Sequence, residues 1–491
     1  MDNGENAVPN VLIFPLPLQS PVNSMLKLSE LLCLAGVHVT FLNTEHNHRR
    51  LLGSTDDAGS RFERYPGKLS FEVISDGLRE DHSRSAEEFE GVVKSLRGVA
   101  EPHLREMLRS ERGRKVTCVI AEGMFDYAFE IGKEVGIPVF AFETGSPCYL
   151  GVCLCVPKLF EAGQLPFKGE DLETLVGGVP GMEGLLKVRD LPHFCQAKDP
   201  WADDESGKLI MADIHTVPKA HGLILNSFEE LDGPIMAHIR THCQNTYMIG
   251  PVQQHLKARL AERETTTPPP SSNSFWREGK TCIQWLDEQP DESVIYVSFG
   301  SQNTLTMAQL MEFWHGLVAS GVRFLWVLRP NILRAAKEVL DENLVRELKK
   351  GCLECGHIVS WAPQEEVLAH PAIGGFWTHS GWNSTLESIV AGKPMICWAQ
   401  YVDQLVTRRL VSEVWKIGVD MEDRWDRLSV EKMVKELMGS RRQEFKKSAQ
   451  KFSKLARESV NHGGSSYTSI DHLINEIRKL SSIKHFENTL S

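Results

Sequence analysis

The sequence lacks the features that mark membrane, secreted and nucleic-acid-binding proteins. Its 491 residues include no uncharged apolar run of about 20 residues, so we expect no transmembrane helix. The opening residues, MDNGENAVPN, lack the basic start and apolar stretch of a secretory signal. No basic block stands out, and the net charge of −11 argues against nucleic acid as a partner. We therefore expect a cytoplasmic protein.

Paired cysteine motifs are also missing. The eleven cysteines are scattered, and Cys33, Cys118 and Cys397 lie in apolar surroundings, as reduced thiols do. Cys352 and Cys355 form a CxxC without a second pair, so we assign them no metal or redox role.

Glycine-rich dinucleotide motifs are absent where they would be needed. The turns after the first strand of each half of the chain read PLPLQSP and GSQNT, and neither contains GxGxxG. This disfavours a nicotinamide-dependent dehydrogenase, the main alternative for a chain with two α/β halves.

What the chain does contain is an alternation of strand-length apolar runs and amphipathic helices. A strand over Asn10–Leu16, a helix over Val22–Leu34 and a strand over Val37–Leu42 predict a parallel sheet. A second series starts at Val294–Phe299, and the next helix begins with a capping box at Thr306. The length also suggests two domains. We predict an N-terminal α/β domain over 1–250, a linker over 251–280, because TTTPPPSSNS interrupts the pattern there, and a C-terminal α/β domain over 281–460.

The stretch from Trp361 to Gln404 is the most informative one. Trp361 offers a flat face on which a nucleobase could stack for roughly 1–3 kcal/mol. A strand over Ile373–Trp377 then turns into a helix over Thr385–Ala391. A strand, a turn with glycine and a helix N-terminus gather backbone amides that can hold phosphate.

Polar side chains extend this pattern. His379, Asn383 and Ser384 add donors in the turn, while Asp403 and Gln404 can grip paired hydroxyls. Contacts for a base, a diphosphate and a polyol follow one another in chain order. This predicts a nucleotide-sugar site.

The same stretch resembles the signature box of plant small-molecule glycosyltransferases that use UDP-sugars. It keeps WAPQ, the VLxH and GxFxTH steps, GWNS and the final DQ. Ser380 stands where cysteine is usual and Ala399 where proline is usual, and neither change removes a ligand. VLIFPLPLQ, FLNTEHNHRR, NSFEEL and SFGS elsewhere are also similar to the family. The second of these looks closest to glucosyltransferases acting on iridoids and related terpenoids, such as the 7-deoxyloganetic acid type.

The resemblance implies a GT-B fold, in which two Rossmann-like domains face each other across a cleft. It implies UDP-glucose as co-substrate, a small and mostly apolar acceptor, a β-glucoside product, and neither a cofactor nor a metal. The final helix, over 461–480, is expected to cross back onto the N-terminal domain, and 481–491 to be a frayed tail. We expect a monomer.

The family's donor contacts can be carried over residue by residue. They are Trp361 and Ala362 for the uracil, Gln364 and Glu387 for the ribose, Ser301, His379, Asn383 and Ser384 for the diphosphate, and Trp382, Asp403 and Gln404 for the sugar. Gly381 is counted among the donor-binding residues as well. Ser384 and Glu387 are in addition spaced as a capping box at a helix start. For Trp361 and His379 the alternatives are a core aromatic and a buried imidazole.

The catalytic positions depart from the family. Members usually read QGH after the first strand, where the histidine is the general base, but here Gln19 and Ser20 precede Pro21. A pyrrolidine ring cannot accept a proton. Ser20 and Pro21 suit an N-cap and a first helical position, so the fold should survive. The family's partner Asp is Glu122, and its nearby Arg is Glu143.

Three hypotheses follow. Glu122 is the first choice as a replacement base, provided that burial raises its basicity. Alternatively the acceptor arrives ionised and needs no base, or the protein binds UDP-sugar with little turnover, as a regulator or scaffold. The acceptor pocket is expected at Gln19, Ser20, His82 and Glu143, and His82 is either a substitute base or a solvated loop residue.

Overall fold

The structure is a computed structural model. It describes residues 8–53, 62–82, 84, 88–110, 115–167, 171–192, 195, 211–212, 214–263, 281–333, 343–344, 346, 348, 355–422 and 424–490, with side chains as far as 485.

The N-terminal half forms a seven-stranded parallel sheet. Its strands are β1 Asn10–Phe14, β2 His38–Thr44, β3 Leu69–Ile74, β4 Cys118–Glu122, β5 Val139–Glu143, β6 Gly222–Leu225 and β7 Thr246–Met248. Its helices are α1 Gln19–Leu34, α2 Glu45–Gly53, α3 Phe89–Arg109, α4 Asp126–Val135, α5 Pro147–Glu161, α6 Glu229–His242 and α7 Val252–Ala261. The strand order is β3-β2-β1-β4-β5-β6-β7. The central strands are apolar and buried on both faces, as in a sheet covered by helices on each side.

The C-terminal half forms a six-stranded parallel sheet. Its strands are β8 Val294–Ser298, β9 Arg323–Val327, β10 Gly356–Val359, β11 Ile373–Thr378, β12 Met395–Cys397 and β13 Gly418–Asp420. Its helices are α8 Thr281–Asp287, α9 Met307–Ser320, α10 Gln364–Ala369, α11 Trp382–Ala391, α12 Asp403–Arg409, α13 Arg427–Lys435 and α14 Arg442–Val460. The order β10-β9-β8-β11-β12-β13 is that of a Rossmann sheet. The prediction of two doubly wound domains is confirmed.

The capping prediction holds for α9 but not for α1. Thr306 caps α9, and its hydroxyl accepts from the Gln309 amide while Gln309 bonds back. In α1 the N-cap is Leu18, so Ser20 and Pro21 lie inside the first turn rather than at the cap and the first position. The first turn has no intrahelical acceptors for its N–H groups, so proline is tolerated there too.

Part of the expected linker over 251–280 is a helix. Val252, Leu256 and Leu260 of α7 are buried at four-residue spacing against the N-terminal core. This apolar face holds α7 against α1. Residues 264–280 lie outside the described part of the chain.

The last helix is longer than the sequence suggested. α15, Ser465–Leu490, includes most of the segment 481–491 for which fraying was expected. Asp471 pairs with Arg259 at 2.7 Å, and Lys484 donates to the Val116 carbonyl at 2.5 Å, so the helix lies on the N-terminal domain. Ser481 is buried there. Of the helices described, none is long and apolar enough to cross a bilayer.

Candidate active site

Each sheet reverses its strand order at one place, between β1 and β4 in the first domain and between β8 and β11 in the second. Ligands of open α/β sheets bind in the crevice outside the carboxyl ends of the strands at such a switch point. In the second domain, β8 leads into Gly300 and Ser301, and β11 leads into His379 and Gly381. The sequence therefore places small residues at this crevice.

The His379 ring lies between these two turns. A Cβ on Gly300, whose φ is +70°, would come within 2.6 Å of the ring, and a Cβ on Gly381 within 2.4 Å of Nε2. Burial, and then the nearby Arg329 guanidinium, lower the pKa of His379 to about 3. The imidazole is neutral at physiological pH and can donate one N–H to an anion.

A cavity of about 130 Å³ opens at this switch point and is lined from both domains. Its predicted donor residues are Ser301, Trp361, Ala362, Gln364, His379, Gly381, Asn383, Ser384 and Glu387, joined by Gln19 and Ser20 of the first domain. The three residues assigned to the sugar are not in its lining. Tyr296 and Asn23 line it as well, although no motif pointed to them.

The end of the cavity that is predicted to hold the ribose contains a hydrogen-bonded triad of Gln364, Ser384 and Glu387. The Gln364 amide donates to Ser384 Oγ at 2.9 Å and to Glu387 Oε2 at 2.7 Å. Helix α11 is capped by Gly381 and begins at Trp382, so the capping box predicted for Ser384 and Glu387 is wrong. Burial and the nearby Glu365 carboxylate raise the pKa of Glu387 to about 7.

Two of the residues that are predicted to bind the sugar, Asp403 and Gln404, lie where α12 begins. Asp403 Oδ2 accepts from the Trp382 amide at 3.2 Å, and burial raises the pKa of Asp403 to about 6. Val402, just before it, has φ +58°, which is a strained conformation for a β-branched residue. The Gln404 amide exchanges two hydrogen bonds with Asn303, at 3.1 and 3.0 Å. These two hydrogen bonds to Asn303 fix the orientation of the Gln404 side chain.

The start of α11 is bonded across the cleft. The Asn383 amide donates to the Ser20 carbonyl at 3.0 Å and to Ser24 Oγ at 2.7 Å. Asn226 donates to Asn383 Oδ1 at 3.1 Å, and its carbonyl accepts from Trp382 Nε1 at 2.8 Å. The predicted diphosphate site therefore faces the first turn of α1, which contains Pro21. Asn226 lies in the NSFEEL motif but was not predicted as a site residue.

The first domain's switch point carries carboxylates. Glu122 and Glu143 end the adjacent strands β4 and β5, and both are buried, at 4% and 5% exposure. Thr144 donates to Glu122 Oε1 at 2.7 Å. The next residue, Gly145, approaches the sugar end, because a Cβ there would lie 3.9 Å from Asp403 Cβ. Thr144 and Gly145 thus lie between Glu122 and Asp403, the carboxylate that is predicted to bind the sugar.

His82 belongs to a loop after β3. Its Nδ1 accepts from the backbone amide of Arg84 at 3.1 Å. The Arg84 guanidinium donates two hydrogen bonds to the Asp76 carboxylate, at 2.7 and 3.1 Å. It does not line the cavity described above. Within the described ranges, no three His, Cys, Asp or Glu side chains are grouped as metal ligands.

Two facing Rossmann-like domains, with residues suited to a nucleotide sugar at the second switch point, are the arrangement of the GT-B glycosyltransferases. Residues 277–460 match the family model of UDP-glucoronosyl and UDP-glucosyl transferase. A 7-deoxyloganetic acid glucosyltransferase of Catharanthus roseus is 47% identical over 97% of this chain and 98% of its own length. The chain therefore belongs to this family, as the resemblance indicated.

Two further proteins are similar to this chain over most of its length. Mogroside I-A1 synthase of Siraitia grosvenorii is 42% identical over 93% of this chain and 86% of its own length. Among solved structures, Os79 of O. sativa in complex with UDP is 28% identical, with a TM-score of 0.78, over 95% of this chain and all of that one.

Proposed function

We propose that this protein transfers glucose from UDP-glucose to a small, mostly apolar acceptor and releases a β-glucoside. One observation carries the proposal: nine of the twelve predicted donor-binding residues line one cavity at the second switch point, and Asn383 connects it to Ser20 beside the first. The Catharanthus roseus relative, a 7-deoxyloganetic acid glucosyltransferase, supports an iridoid or related terpenoid as acceptor. A phenolic acceptor is the alternative.

The donor end supplies the leaving-group stabilisation. Uracil stacks on Trp361, and the ribose hydroxyls donate to Glu387. The diphosphate lies against the neutral His379 N–H, Ser301 and the first amides of α11. Charge develops on the diphosphate as the bond to the anomeric carbon breaks, and preorganised donors at such a place supply much of the catalysis.

Glu122 is the base in this proposal. The acceptor oxygen forms a bond to the anomeric carbon, the bond from that carbon to the diphosphate breaks, and its electron pair leaves with UDP. The acceptor proton passes to the Glu122 carboxylate. Glu122 and Glu143 are both buried at the ends of adjacent strands, and burial disfavours the charged form of a carboxyl group. The same two charges would repel an anion, which disfavours an acceptor that arrives ionised at this end.

We further propose that the reaction takes place in the cytoplasm and is carried out by a monomer without cofactor or metal. The cysteines that the structure describes form no disulfides, and all of them except Cys355 are buried, which fits a reducing compartment.

The test is UDP-glucose turnover on a panel of alcohols, phenols, hemiacetals and carboxylic acids between about pH 6 and 9. UDP release and product mass are both measured. Transfer to neutral alcohols supports Glu122 as base, whereas transfer confined to acidic acceptors would show that the nucleophile brings its own charge. UDP should raise the melting temperature and NAD should not. UDP binding without product on any acceptor would overturn the proposal in favour of a binding protein.

A further inference from the structure

Three charged side chains from both domains meet beside the ribose end of the donor cavity. Glu365 of α10 accepts from Lys27 of α1, with Nζ to Oε1 at 2.5 Å, and pairs with Lys257 of α7, with Nζ to Oε2 at 2.8 Å. The Lys27 and Glu365 side chains are 5% and 9% exposed. Both lysines belong to the first domain and the carboxylate to the second, so we call this group the interdomain ion cluster.

The interdomain ion cluster adjoins the hydrogen-bonded triad of Gln364, Ser384 and Glu387. Glu365 follows Gln364, whose amide donates to Glu387. Burial raises the pKa of Glu365, but Lys27 and Lys257 outweigh it, and its pKa is lowered. Glu387 therefore faces a fixed negative charge, which raises its pKa after burial, and two positive charges that lower it.

The surroundings of Glu387 contain few other charges. Glu366 of α10 lies near Lys257. On the other side of α11, Arg457 of α14 donates to the Val390 carbonyl at 3.1 Å. The lysines of the cluster are thus the cations that act on Glu387, and both come from the opposite domain.

We propose that Lys27, Glu365 and Lys257 are positioning residues that hold the two domains closed over the nucleotide and keep Glu387 able to accept from the ribose hydroxyls. The inference rests on the proposed function, because it concerns the same donor site. When the cleft opens, the buried Lys27–Glu365 pair separates and Glu387 loses the cations that favour its charged form. Nucleotide that binds the closed form then shifts the population toward closure.

The experiment measures UDP affinity by calorimetry from about pH 6 to 8, with the radius of gyration from small-angle scattering as a second readout. Lys27→Met and Glu365→Gln should each weaken UDP binding by about tenfold, a common size for coupling between sites. Both should increase the radius of gyration of the nucleotide-free protein. In the double variant the effects should not add, because the two residues share one interaction.

The pH dependence separates this proposal from a merely structural role. Lys27→Met should move the midpoint of the UDP affinity profile to higher pH, because a cation that lowers the pKa of Glu387 is removed. Glu365→Gln should move it to lower pH, because an anion that raises that pKa is removed. General destabilisation would not move the midpoint in opposite directions.

The controls keep the test decisive. Glu312→Gln removes an ion pair with Arg427 inside the second domain and should leave the UDP affinity and its midpoint unchanged. If Lys27→Met fails to fold, Lys257→Met replaces it, since that lysine is 44% exposed, and it should also raise the midpoint. Wild-type midpoints in these variants, with UDP affinity weakened in Glu387→Gln, would overturn the inference and leave the proposed function intact. Failure of the wild type to bind UDP would instead overturn the proposed function.

Discussion

The two switch points have the same topology and opposite chemistry. At β8/β11 the turns present glycines, a hydroxyl, a neutral imidazole and a helix N-terminus, which together suit an anion. At β1/β4 and its neighbour β5 the strands end in Glu122 and Glu143, and Pro21 stands where the sequence resemblance expects a histidine. The comparison shows that the sheet fixes only where a ligand can lie, whereas a few residues after each strand give the crevice its chemistry. In the proposed function this chemistry is leaving-group binding at the second switch point and proton uptake at the first.

The largest effect should come from removing the charge at the first switch point. Glu122→Gln should lower kcat by about 10²–10⁴, because an amide cannot take the acceptor's proton. The UDP affinity, measured by calorimetry, should not change. Glu143→Gln is the matched control and should have a smaller effect on kcat. Full activity in Glu122→Gln would rule out Glu122 as the base.

The second effect disturbs the anion site. Gly381 has φ −61°, which alanine can adopt, but its Cβ would lie 2.4 Å from His379 Nε2. Gly381→Ala should displace the imidazole and reduce kcat by on the order of a hundredfold, the size found when one oxyanion donor is lost. Gly233→Ala, on helix α6, places a Cβ in open space and serves as the control. Equal turnover in both variants would show that His379 does not contact the diphosphate.

The third effect depends on pH. The raised pKa of Glu387 leaves part of its carboxyl protonated just below neutrality, and that form has lost acceptor capacity toward the ribose hydroxyls. The Kd for UDP should therefore fall several-fold as the pH rises from about 6 to about 8. UDP without its sugar avoids a contribution from Asp403, and His379 titrates far below this range. The terminal phosphate of UDP itself titrates with a pKa of about 6, so the test is the part of the slope that Glu387→Gln removes. An equal slope in both proteins would contradict the assignment.

The smallest effect should be a gain. Replacing Ser20→Gly and Pro21→His together restores the family's base in the first turn of α1. We expect a several-fold rise in kcat on phenols and alcohols, well below the full worth of a general base, because the surrounding residues have changed. The single variant Ser20→Gly is the control. If the pair brings no gain, the pocket has been rebuilt around another mechanism.

The sequence predicts the second switch point better than the first. Its box carries motif after motif, so twelve candidate donor residues could be named from the sequence, and nine of them line one cavity. What it does not contain are contacts between distant segments. Asn226 bonds Asn383 across 157 positions, and the Lys27–Glu365 pair spans 338. Such pairs arise only when two domains meet.

Local signals failed where tertiary packing competes with them. The S-x-x-E spacing at Ser384 is that of a capping box, yet Gln364 takes both side chains because α10 packs against α11. The apolar positions of α7 were assigned to a linker, because the polar TTTPPPSSNS segment follows them closely in the sequence. α15 continues into the segment for which fraying was expected, where Lys484 donates to the carbonyl of Val116, two residues before β4.

The left-handed backbone of Val402 has a consequence for engineering. A β-branched residue at φ +58° stores on the order of 1–3 kcal/mol, which a glycine at this position would release. The same backbone leads directly into Asp403, which is predicted to bind the sugar. A search for heat-resistant variants would therefore find position 402 attractive, while a search for sugar selectivity would have to leave it alone.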